Sequence, residues 1–178
     1  RFAGAAIDRA RARLSRGGRR DVITLVVGDH GMARVSVHVD PRAVVGAIER
    51  MPGSPKVFVD ATMLRVWTRG APHQPIADLL RSLGCDVLAA PDLAAQNAPA
   101  DGSYGDVIGL LPEGGLFVPN YFGGAIRGMH GYDRRAPSAT AALLTDAPGA
   151  EHAKTLEDVA GLVQRACGIG GVAQRGAA

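Results

Sequence analysis

Aromatic side chains are scarce in this chain, at 4% of 178 residues. Val, Leu, Ile and Ala must therefore fill the interior. Basic residues are not in large excess: the net charge is +3, most of it from Arg9, Arg11, Arg13, Arg16, Arg19 and Arg20. No rings interleave with those arginines, which excludes the stacking platform that single-stranded nucleic acid requires. We read the cluster as a solvated helix face. Only two cysteines occur. Cys85 opens a strand-like run and Cys167 closes a helix-like one, so both read as buried free thiols, with a disulfide unsupported. No apolar run approaches the length of a membrane span, and no signal peptide opens the chain. The chain begins at Arg1, without Met, in what reads as the middle of a helix. We therefore read it as a fragment, so the missing leader says nothing about location. There is no internal repeat and no linker.

What is present is enough for one domain with a real core. Hydrophobic residues make up 47%, which excludes a disordered chain, and 24 glycines imply many tight turns. Residues 2–16 predict an amphipathic helix with Ala3, Ile7, Ala10 and Leu14 on one stripe, stopped by Gly17-Gly18. Residues 22–28 are a near-continuous apolar run, typical of a strand covered on both faces. Residues 35–39 alternate as a half-exposed strand. Asp40 and Pro41 start a helix carrying Val44, Val45 and Ile48. Residues 56–60 and 64–68 read as a hairpin, 75–83 as a helix closed by Gly84, and 86–89 as a strand. Residues 106–111 and 116–119 flank Pro112-Glu113-Gly114-Gly115, a hairpin signal. A glycine-rich loop follows over 120–135. Residues 141–145 form a short strand and 155–167 a last helix, and the tail from 168 to 178 is expected to fray. Strands alternating with helices give an α/β class with a mixed sheet.

Two short segments carry the chemistry: Asp29-His30-Gly31-Met32, and Gly128-Met129-His130-Gly131-Tyr132-Asp133. The first ends the apolar run of 22–28, and ligands of open α/β sheets gather at the carboxyl ends of strands. In a regular strand Asp29 and His30 would point to opposite faces. Gly31 lets the backbone leave the strand so that both can converge. A carboxylate and a neutral imidazole suit zinc and related divalent ions. The rival reading is an Asp that caps a turn with His30 packed beside it. Taken alone, His130 between Gly128 and Gly131 reads as a turn residue; the two segments together are far more specific. Tyr132 and Asp133 either support that histidine or shape the turn. Tyr121 and Arg127 lie near it in sequence, as contacts for a phosphate or base or as plain loop residues. His38 reads as a surface residue, His73 as part of a proline-flanked loop, and His152 as lying near the last helix. None of the three is read as a ligand.

The two segments resemble the C-terminal signature of the alkaline phosphatase superfamily, in its type I phosphodiesterase and nucleotide pyrophosphatase branch. The order of elements is similar too, over most of residues 5–147. The resemblance implies an alkaline-phosphatase-like sandwich. Its sheet is mixed, mostly parallel and flanked by helices, and it is incomplete at the N-terminal side. A small α+β subdomain is inserted at about residues 35–100, within a single partial catalytic domain spanning 1–178. It implies two divalent metal ions, usually zinc. Asp29 and His30 would bind one and His130 the other. In this family a Thr or Ser nucleophile attacks phosphorus, and water releases the covalent phosphoryl intermediate. Only 28 residues precede Asp29, and none shows the family's Asp, Thr or Ser nucleophile, or Asp-x-x-x-His pair. These are expected upstream of residue 1. A catalytic zinc site takes about three protein ligands, so this chain alone is expected to hold metal weakly and to turn over little or nothing.

The implied activity is that of a phosphodiesterase or nucleotide pyrophosphatase. A phosphomonoesterase or phosphonate hydrolase on the same core is the close alternative, and a non-catalytic binding module the distant one. The implied substrate is a small phosphoester, with a nucleotide as one candidate and no nucleic-acid polymer. The resemblance leans towards a secreted or periplasmic location and does not fix oligomeric state. In the folded chain His130 should approach His30 and Asp29 to within roughly 5–8 Å, given a two-metal spacing of about 3.5–4 Å and ligand bonds of about 2 Å.

Overall fold

The computed structural model describes residues 2–18, 22–96, 98–121, 123 and 126–169. Arg19, Arg20 and the tail 170–178 lie outside the described residues. In chain order the elements are α1 (Phe2–Arg16), β1 (Leu25–Val27), β2 (Ala33–Arg34), β3 (Val37–Val39), α2 (Arg42–Glu49), β4 (Lys56–Val59) and β5 (Met63–Trp67). Then come α3 (His73–Ser82), β6 (Asp86–Ala89), α4 (Ala90–Ala95), β7 (Val107–Leu110), β8 (Gly115–Phe117), β9 (Gly128–Met129), β10 (Leu143–Thr145) and α5 (Leu156–Ala166). The chain divides into two compact units, one of residues 1–29 with 141–178 and one of residues 30–140.

In the first unit Gly17 and Gly18 end α1 as expected, with Gly18 at φ +79°. The apolar stripe is less buried than its spacing predicts: Leu14 and Ala10 are exposed and Ile7 is half-buried. The side chain of Ala3 lies outside what is described. Arg11 pairs with Asp146, while Arg9, Arg13 and Arg16 are solvated. Strand β1 pairs antiparallel with β10, Val26 opposite Leu144. The expected doubly covered strand over 22–28 is instead three residues long, with Val26 and Val27 exposed. Its partner among the described residues is β10 alone, and a two-stranded ribbon has no sheet interior. At α5, the Thr155 hydroxyl accepts the Asp158 N–H, while the Asp158 carboxylate accepts the N–H of Thr155. This reciprocal cap explains why the helix starts there. Cys167 is exposed rather than buried, because it lies past the stripe that buries Leu162.

The second unit holds most of the core. Its sheet runs β4-β5-β7-β6 with every pairing antiparallel. The β4–β5 hairpin is as the sequence predicts. Alternation sends Leu64, Val66 and Val107 to the face covered by α2 and α3, where Val44, Ile48, Ile76, Leu80 and Phe117 complete a buried cluster. Cys85 joins it as expected, and burial pushes its thiol up to about 12.

Four expectations are corrected here. The segments 106–111 and 116–119 are not a hairpin. Strand β7 lies between β5 and β6, whereas β8 pairs parallel with β3. Gly115 closes a turn onto Pro112 that redirects the chain to a different sheet. The sheets are also not mostly parallel: among the described residues β3–β8 is the one parallel pairing, and of the antiparallel ones β4–β5 follows from its short connection. The strand expected over 35–39 is split, because the N–H groups of Ser36 and Val37 both turn to the Gly114 carbonyl. Finally, α3 begins at His73, two residues before Pro75, so His73 is helical rather than in a loop; proline is tolerated in a first turn, where its missing N–H has no intrahelical partner. Helix α4, which pattern alone did not predict, is started by Asp92 accepting the Ala89 N–H at 2.9 Å.

Phe117 has no exposed surface. Phe117→Ala should lower stability by about 3–5 kcal/mol, read as a shift in urea midpoint with unchanged slope.

Candidate functional site

The two motif segments meet through a very short ladder. Ala33 of β2 faces Met129 of β9, and Arg34 faces Gly128. The Val35 N–H extends this pairing to the Arg127 carbonyl at 2.9 Å. In an antiparallel pair the residues before one strand lie beside those after the other. His30, shortly before β2, is thereby brought to the end of β9 that delivers His130. The two imidazoles are stacked, with ring centroids 3.8 Å apart and planes inclined by 17°. The expected approach was roughly 5–8 Å.

Local geometry fixes the first of these rings. His30 Nδ1 lies 2.8 Å from the Gly31 carbonyl oxygen. A carbonyl can only accept, so Nδ1 carries the proton, and in the neutral ring the lone pair sits on Nε2. Gly31 itself donates to the Ser138 carbonyl. A Cβ at Gly31 would lie 2.8 Å from that oxygen, so the backbone approach requires glycine.

The loop carrying His130 is anchored on both sides of Gly131. Gly131 has φ +85°, and its carbonyl accepts a 2.6 Å bond from the buried Thr62 hydroxyl in the β4–β5 turn. The Tyr132 hydroxyl donates to the Gly115 carbonyl at 2.9 Å, and burial raises its pKa. The Asp133 carboxylate accepts from the backbone N–H of Arg135 at 2.7 Å and from its guanidinium at 2.8 and 2.9 Å. Those bonds hold Asp133 down to about 2. Tyr132 and Asp133 thus shape the turn that presents His130.

The other residues singled out lie at the surface. Asp29 is exposed and is the last residue of the first unit, while His30 opens the second. Arg127 is exposed. Tyr121 is 73% exposed, its ring 6.0 Å from that of Phe58. His38 and His152 are exposed, and His73 Nε2 lies 3.4 Å from the Thr68 hydroxyl. Among the described residues no group of three or more His, Cys, Asp or Glu side chains is placed to hold a metal ion. Sequence reasoning missed Thr62; a buried threonine in a hairpin turn has no signature until its partner is known.

No protein-family model matches the chain, and no curated protein matches it in sequence. Solved structures do. Human ectonucleotide pyrophosphatase/phosphodiesterase 5 matches with a TM-score of 0.60 at 14% identity, over 77% of this chain and 37% of that one. Its murine counterpart, as an inactive variant in complex with AMP, matches with a TM-score of 0.58 at 15% identity, over 74% and 36%. Phosphonoacetate hydrolase from Sinorhizobium meliloti, in complex with phosphonoformate, matches with a TM-score of 0.58 at 15% identity, over 89% and 45%. The likeness is one of fold: the chain shares the architecture of the matching part of each of these proteins. The chain spans less than half the length of each of these proteins.

Two outcomes test the site's construction. Gly131→Ala should cost about 1–2 kcal/mol, because a side chain is strained at this positive φ, and should broaden the His130 ring signals in NMR spectra. The carboxyl of Asp133 should titrate near 2 against an ordinary 3.8. Its folded value is depressed, so its clamp contributes stability above the ordinary value and loses it as pH falls towards 2. A carboxyl NMR titration giving an ordinary midpoint would remove the clamp.

Proposed function

We propose that this chain is the C-terminal part of a metal-dependent phosphodiesterase or nucleotide pyrophosphatase, and that residues 1–178 belong to a single catalytic domain. The observation that carries this reading is the His30–His130 stack. Imidazole lone pairs lie in the ring plane, so stacked rings do not aim at one shared ion. They suit two ions side by side, and the 3.8 Å separation of the rings is close to the spacing of about 3.5–4 Å found in two-metal sites. With Nδ1 donating to the Gly31 carbonyl, the neutral His30 ring would present Nε2 to a metal ion.

In this proposal His30, with Asp29, holds one divalent ion and His130 holds the other, both zinc. When bound, such a pair stabilises the attacking and leaving oxygens of an in-line displacement. The chain's own residues keep the two rings at a fixed separation: Gly31 and Ser138 hold the first, while Thr62, Tyr132 and Asp133 hold the second. The Thr or Ser nucleophile and the remaining ligands belong to the parent polypeptide. The substrate is a small phosphoester, and the AMP complex of the murine neighbour supports a nucleotide. A phosphonate hydrolase is the second reading, favoured by the match to phosphonoacetate hydrolase over 89% of this chain.

The parent polypeptide should hydrolyse bis(4-nitrophenyl) phosphate in a reaction that a chelator abolishes and zinc restores. His30→Ala and His130→Ala should each weaken zinc binding by about tenfold or more, the scale of losing support at a metal site, as read by calorimetry. A parent that binds no zinc, or whose hydrolysis ignores both substitutions, would sink the proposal. Faster turnover of phosphonoacetate than of any diester would select the second reading.

A further inference from the structure

A second cluster lies on the face of the β4-β5-β7-β6 sheet opposite the α2–α3 core. In the β4–β5 register Phe58 stands across from Arg65. The Arg65 guanidinium carbon lies 4.8 Å from the centre of the Phe58 ring and 4.7 Å from that of Tyr104. The cation is thus held between two π faces, an arrangement that fixes its position without using its N–H donors. Those donors are idle: Arg65 Nε is buried with no acceptor, and among the described residues the side chain makes no hydrogen bond or ion pair. In the segment that supplies Tyr104 the carboxylates are committed elsewhere, Asp106 to Thr68 and Asp101 to Ser103. Phe58 also neighbours the ring of Tyr121, 6.0 Å away and 73% exposed.

A rigid guanidinium without a counter-charge is a fork for an oxyanion, since planar two-point pairing is what arginine does best. The exposed ring of Tyr121, next to Phe58, offers stacking to a flat group. We propose that Arg65, Phe58 and Tyr121 form a binding site for a small aromatic anion, its phosphate or carboxylate on Arg65 and its ring against Tyr121. The site is built from side chains other than the histidine pair and does not depend on the proposed hydrolysis.

The test is a titration of the full chain with phenyl phosphate in excess chelator, which removes metal from any competing site, followed by calorimetry and by NMR shifts of residues 58, 65, 104 and 121. Phenyl phosphate should bind saturably, with phenol and inorganic phosphate each weaker by about tenfold or more, the factor for losing one charge-assisted contact or one stacked ring. Arg65→Met should weaken phenyl phosphate by about tenfold or more and Arg65→Lys by less, since lysine keeps the charge but not the fork. Tyr121→Ala, at an exposed position, tests the stacking half even where an Arg65 variant fails to fold, and should weaken binding by about threefold or more. His130→Ala should leave binding unchanged. No saturable binding to the unaltered chain, equal binding by Tyr121→Ala and the unaltered chain, or binding lost with His130 instead would each overturn the proposal.

Discussion

A ladder of two residue pairs, Ala33 with Met129 and Arg34 with Gly128, is the constraint on which the candidate site depends. It joins segments about a hundred residues apart and sets the end at which both deliver their imidazoles. So short a ladder is not stable alone, since even a complete isolated hairpin is marginal in water. It is held from behind. Met129 packs with Ala61 and Leu116 in a small buried cluster, and the Gly131 carbonyl is tied to Thr62 of the β4–β5 turn. The large sheet is thus the foundation, and the small ladder is the fitting that it carries.

The support around the second histidine is polar rather than apolar. Thr62, Tyr132, Asp133 and Arg135 all act through hydrogen bonds to backbone or to one another. Such bonds are directional, and they determine where a loop sits more than how tightly the protein holds together. Tyr132 and Asp133 follow His130 directly, so the residues that shape the loop are part of the same short motif. The His130 ring takes part in none of these bonds.

Much of this was legible in the sequence because it rests on local rules. The helix over 2–16, the β4–β5 hairpin, the glycine stop at Gly84 and the capped last helix all follow from spacing and end signals. The pairing of the two histidine-bearing segments was anticipated through their likeness to a known signature, not through periodicity, since two-residue strands have none. What escaped was partner choice. The apolar runs in residues 106–119 announce strands but are silent on whether they pair with each other, and here β7 and β8 go to separate sheets. The apolar run of 22–28 announced burial on both faces, yet composition cannot say how many strands stand beside it. The Arg65 stack was equally hidden, because it depends on a register that sets Phe58 opposite and on a distant loop that supplies Tyr104.

The two thiols, unlike in their surroundings, give the molecule a practical asymmetry. Cys85 is packed in the core of the second unit with its proton tightly held, while Cys167 is open to solvent at the end of α5 in the first. A thiol-selective reagent applied to the folded chain therefore has a single accessible address. A fluorophore or spin label placed there follows one unit and leaves the histidine-bearing unit chemically untouched, with no cysteine needing to be engineered away first.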